Sequence, residues 1–90
     1  MKPSDRAKTK ERARYLKSKL ASAEKAMAKL EASLTEIDRA IGEPASAPAH
    51  LADVAMSDLL VRRSQVGDDL ARAEADWLVL GEELEKLEKA

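Results

Sequence analysis

Apolar side chains recur through the first half of the chain at Leu16, Leu20, Ala23, Met27, Leu30, Leu34, Ile37 and Ile41, four and three residues apart in alternation without a break. A repeat of 3.5 residues sets them on one narrow helical stripe, which only a second helix with a matching stripe can cover. The second half supplies that helix at Met56, Leu59, Arg63, Val66, Leu70, Ala73, Trp77, Leu80, Leu84 and Leu87, with Arg63 as the single polar member. The pattern predicts an all-α fold, an antiparallel two-helix coiled-coil hairpin forming one domain. Its helices run over about residues 5–42 and 51–89, with a turn at 43–50.

The punctuation agrees with those limits. Met1 to Asp5 reads as a short lead, because Pro3 fits only before or at a first helical turn and Ser4 or Asp5 can cap the donors that follow. Gly42 ends the first helix by taking a left-handed conformation, and Pro44 and Pro48 forbid its continuation. His50 or Asp53 caps the second helix. Gly67 and Gly81 lie inside it, off the stripe, at a cost of roughly 1 kcal/mol each.

Packing stripe against stripe suggests a register in which Leu16 faces Trp77, Leu20 faces Ala73, Met27 faces Val66 and Ile37 faces Met56. Large residues then meet small ones at several layers. Arg63 falls opposite Leu30 and reaches to the edge of the seam, where Glu31 is its expected partner. The same register brings Arg12 near Glu83, Lys17 near Glu74 and Lys19 near Asp76.

Charge gives the two halves opposite characters. The chain carries a net charge of −1, yet residues 1–42 hold eleven Lys/Arg against six Asp/Glu, and residues 43–90 hold five against eleven. Complementary helices favour pairing with each other over pairing with their like. Charged residues make up 37% of the 90-residue chain, Phe and Cys are absent, and Trp and Tyr occur once each. That excludes a disulfide framework and a thiolate metal site, and a seam one side chain deep leaves no cleft for an enzyme. His50 has no second histidine or cysteine with which to hold a metal. No nucleophile with a base and no phosphate-cradling loop occurs, so the chain is expected to be non-catalytic and free of cofactors and metals. No apolar run approaches a membrane span, which suits a cytoplasmic chain with no membrane partner.

One stretch is suited to a charged ligand. Lys2, Arg6, Lys8, Lys10, Arg12, Arg14, Lys17 and Lys19 are interrupted only by Asp5 and Glu11, and Lys25 and Lys29 follow. Such a field attracts phosphates, which dominate nucleic-acid affinity. The candidate nucleic-acid-binding residues are Arg6, Lys8, Lys10, Arg12, Arg14, Tyr15, Lys17, Lys25 and Lys29, with Tyr15 able to stack on a base. Among them Lys8, Lys10 and Arg14 are expected to matter more than Lys17 or Lys19, which acidic partners across the seam engage. A separate candidate surface lies at Leu78 and Val79, with Leu60 and Val61. These sit off the stripe and point to contact with a second copy or with the rest of a larger parent protein.

The segment Ala73-Glu74-Ala75-Asp76-Trp77-Leu78-Val79-Leu80-Gly81-Glu82-Glu83-Leu84 has a more specific pattern, an Ala-Glu-x-x-Trp-x-x-Leu run followed by acidic residues and leucines. With the Ile41-Gly42-Glu43-Pro44 turn and Tyr15 in a basic stretch, it resembles the C-terminal coiled-coil domain of ATP-binding-cassette class F proteins of the Uup type, over about residues 12–88. The chain departs from that pattern at Asp76, where the family often has Arg, and at Ala23-Glu24, where it often has Leu-Pro. The resemblance implies an accessory arm for DNA or ribosomal RNA, joined to the remainder of an ATP-binding-cassette protein that would carry the ATPase. Two other readings are a protein–protein or oligomerisation module without nucleic acid, forming a weak homodimer, and a tRNA-contacting arm like those appended to some aminoacyl-tRNA synthetases.

Overall fold

The computed structural model describes residues 3–89; Met1 and Lys2, part of the expected lead and basic run, lie outside the described residues. Two long helices, α1 (Pro3–Gly42) and α2 (Met56–Lys89), pack against each other as a helical hairpin, and no strand occurs among the described residues. The molecule is a rod of 63 × 18 × 15 Å with a radius of gyration of 19.2 Å. A globule of this length would have a radius of ~12 Å, so the fold depends on its seam and not on an enclosed core.

Both helices follow from the sequence. Between Ser4 and Ile41 there is no Pro or Gly, and strong helix formers fill the positions off the stripe. Pro3 stands at the first helical position, where its missing N–H costs nothing. The stripe residues of α1 are buried or half-buried throughout, with Leu16 fully enclosed, while the positions between them are mostly exposed.

The connector differs from expectation in length and in detail. It runs from Glu43 to Ala55 and contains two single turns of 3₁₀ helix, Pro44–Ser46 and Ala49–Leu51, so α2 begins five residues later than the expected 51. Gly42 does not turn left-handed: no glycine among the described residues has a positive φ. The Glu43 amide still donates to the Arg39 carbonyl at 2.8 Å, and the chain leaves the helix at Glu43 with φ −135° and ψ 76°. Pro44 enforces this exit, because a proline disfavours helical geometry in the residue before it.

The second 3₁₀ turn carries Leu51 into a small core with Ile37, Ala40 and Leu59, each 5% exposed or less, and Ile41, Ala47, Val54 and Val66 pack around it. Met56, expected on the stripe facing Ile37, is 45% exposed instead. Leu51 has closed the end of the seam in its place.

Neither His50 nor Asp53 caps α2. The Asp58 and Leu59 amides both donate to the Ala55 carbonyl at 3.0 Å, so Ala55 holds the cap position and has no side-chain acceptor for the free amides of the first turn. Ala55→Asp should therefore raise the unfolding free energy by about 1 kcal/mol, by accepting from those amides and by placing a negative charge at the helix N-terminus. Urea unfolding with an unchanged m-value is the check.

The longer connector also shifts the register by about one heptad. Trp77, expected opposite Leu16, has its Nε1 donating to Glu24 Oε1 at 3.2 Å, eight residues farther along α1. Arg63 meets Asp38 at 2.5 Å, not Glu31, and Lys17 approaches Glu88 at 3.9 Å, not Glu74. Ala23 follows Leu16 on the stripe by one heptad, and Asp38 follows Glu31 by the same interval. A stripe that repeats every seven residues meets its counterpart equally well in either alignment, so the connector decides which is used. Arg12 and Glu83 do meet, at 2.9 Å, because their long side chains span the offset.

Candidate nucleic-acid interface

The nine basic and aromatic candidates all lie on α1, and all are exposed. Helical phase divides them. At 3.6 residues per turn, Arg6, Lys10, Arg14, Lys17 and Lys25 fall within about 100° of one another, on one flank of the stripe. Lys29 sits at the edge of that face. Lys8, Arg12 and Tyr15 fall on the opposite flank, and Lys19 joins them there. A linear reading of the basic run merges two surfaces that the helix separates.

The first surface is a cationic ladder. From Arg6 to Lys17 successive members are three or four residues apart, which sets neighbouring side chains about 5–6 Å from one another along the rod. Lys10, Arg14 and Lys17, together with Ala13, line one shallow open cleft. From Arg6 to Ala23 the sequence holds a single carboxylate, Glu11. Among the described residues only Lys17 of this ladder has a carboxylate within ion-pair range, at 3.9 Å and with both side chains more than half exposed. A pair so long and so wet leaves the ammonium available.

The second surface is already engaged. Arg12 bonds Glu83, and its guanidinium carbon lies 5.1 Å from the centre of the Tyr15 ring; the Lys19 ammonium lies 5.5 Å from the same ring. Both distances are within cation–π range, worth about 0.5–1 kcal/mol at an exposed site. Tyr15 remains 49% exposed, yet stacking on a base would displace one of its two cations. Lys19 does not make the expected pair with Asp76 across the seam; its place four residues after Tyr15 on the same helix is the signal for the contact it makes instead.

Electrostatically the rod has two sides. Asp68, Asp69, Glu74, Asp76, Glu82, Glu85 and Glu88 are all exposed on α2, so a polyanion is attracted to α1 and repelled from α2. His50 Nε2 lies 2.9 Å from Glu36 Oε2 at the connector end, far along the helix from the ladder. Among the described residues no three His, Cys, Asp or Glu side chains gather in a way that could hold a metal ion, and no helix is long and apolar enough to cross a membrane.

The second candidate surface is on α2. Leu78 and Val79 are 56% and 55% exposed, and Leu60 and Val61 are 52% and 56% exposed. These are among the largest apolar side chains that the hairpin leaves in solvent. No protein-family model, curated protein or solved structure matches the chain.

Proposed function

We propose that the chain is an antiparallel two-helix coiled coil acting as a non-catalytic, accessory nucleic-acid-binding arm, of the kind found at the C-terminus of the ATP-binding-cassette class F proteins it resembles. The antiparallel course is supported by the cross-helix partners, whose numbers fall on α2 as they rise on α1: Arg12 with Glu83, Glu24 with Trp77, Asp38 with Arg63. The observation that carries the functional reading is the ladder Arg6, Lys10, Arg14, Lys17 and Lys25, exposed on one face. A straight row of cations on a rigid rod matches a phosphate backbone and contains no element for reading base edges. Binding is then weak, steeply salt-dependent and selective for shape or strandedness over sequence. ATP hydrolysis, in this reading, belongs to cassettes outside the chain.

Titrating labelled single-stranded, duplex and branched DNA and a structured RNA with the chain at two salt concentrations tests the proposal and separates DNA from RNA. Binding at low salt that weakens steeply at high salt is expected. Absence of binding to all four probes at low salt would leave the protein–protein reading, to which exposed Leu78 and Val79 lend support.

A further inference from the structure

Four of the five large apolar residues that α2 leaves exposed, Leu60, Val61, Leu78 and Val79, are arranged as two matching pairs, Met56 being the fifth. Leu60 and Leu78 are eighteen residues apart, as are Val61 and Val79, and eighteen residues is five whole turns of helix. Each pair therefore points the same way, about 27 Å from the other. Between them the same face carries Ser64, Gly67, Ala71 and Ala75, and a Cβ added at Gly67 would meet nothing within 4 Å. This face lies roughly half a turn from the stripe that packs on α1, so α1 does not cover it.

We infer that this face is a self-association surface, on which α2 of a second copy packs antiparallel about a two-fold axis passing between Asp69 and Leu70. An isologous contact requires each residue to meet its mirror position, and the sequence satisfies this. Leu60 and Val61 of one copy lie against Val79 and Leu78 of the other, and Ser64 lies against Ala75. The charges match under the same operation. Asp68 falls within one residue of the position facing Arg72 of the second copy, a distance the long arginine side chain spans, and Arg72 meets the second Asp68 in the same way. Within one chain Arg72 has only Asp69 at 3.9 Å among the described residues, with 75% of its side chain exposed, so its guanidinium can pair across the axis.

The alternative occupant, a helix of a different protein, has no reason to find apolar pairs and opposite charges placed symmetrically about one point. The strip is about 30 Å long and one helix wide, at or below the ~1,200 Å² where stable interfaces begin, so the dimer exchanges with monomer. The inference does not depend on nucleic-acid binding, since the cationic ladder lies on α1 and this strip on the side of α2 that α1 leaves uncovered.

Sedimentation of the intact chain from about 10 μM to about 1 mM should show the mass rising from 9.8 kDa towards twice that value. Leu78→Lys with Val79→Glu should abolish the rise. Asp68→Arg alone and Arg72→Asp alone should each weaken it several-fold, and the two combined should restore it, which no general effect on folding would do. Because the chain has no cysteine, a mixture of Ser64→Cys and Ala75→Cys chains reports the geometry independently of those variants. Mixed disulfides should exceed both homodisulfides, since the two copies of position 64 would lie about 16 Å apart along the helices, too far for a disulfide to bridge. A chain that stays at 9.8 kDa throughout, a charge swap that fails to restore association, or a majority of homodisulfides would overturn the inference.

Discussion

Leu59→Ala should lower the unfolding free energy by about 2–5 kcal/mol, the range for deleting a buried leucine whose surroundings cannot fully collapse. Leu59 is 3% exposed in the cluster with Ile37, Ala40 and Leu51, where side chains from both helices and from the connector converge. Elsewhere the seam is one side chain deep, and apart from the enclosed Leu16 its members, such as Leu30, Leu70 and Leu80, are only half-buried. Leu80→Ala should consequently cost less, because part of its surface is in water before and after the change. For a domain of this size the whole stability is about 5–13 kcal/mol, so Leu59→Ala removes a large fraction of it. Paired urea curves for the two variants measure the difference directly. A Leu59→Ala curve that overlays that of Leu80→Ala would show that the connector end is not the stability centre of the hairpin.

The larger expected effect is on binding. Each phosphate contact releases counterions in proportion to about 0.9 of a charge for duplex DNA, which at 0.1 M salt is close to a factor of eight. Lys10→Glu, Arg14→Glu and Lys17→Glu together should thus weaken duplex binding by about 10²–10³-fold, with further loss from the new repulsion. The residues are exposed, and only Lys17 among them has a carboxylate nearby, so helicity and melting should change little. Lys8→Glu with Lys19→Glu, on the other flank, should cost much less than Lys10→Glu with Arg14→Glu, although the charge change is the same. Equal losses from these two pairs would mean that net charge, and not the ladder, governs binding.

The seam and its two helices were legible in the sequence because the heptad spacing leaves no other economical way to bury the apolar residues. The register was not legible from that spacing. A period of seven makes a shift of seven invisible to packing, and the choice rests on a connector whose two 3₁₀ turns have no periodic signal. Leu51 shows the limit most clearly: it reads as the first residue of a helix and is instead the side chain that closes the core. Gly42 carries a familiar C-terminal signal, but Pro44 ends the helix by restricting Glu43, and no left-handed residue is needed. The basic run was visible as composition. Its division into a ladder and a Tyr15 cluster follows from helical phase, which moves Lys17 into the ladder and Lys8 out of it.

The most direct measurement is the slope of log affinity against log salt concentration for duplex DNA, taken for the chain and for its Lys10→Glu, Arg14→Glu, Lys17→Glu variant. Four or five ladder contacts give a slope of about −4, and loss of three of them should bring it to between about −1 and −2. A flat dependence for the parent chain, or the same slope for parent and variant, would contradict phosphate binding by the cationic ladder of α1.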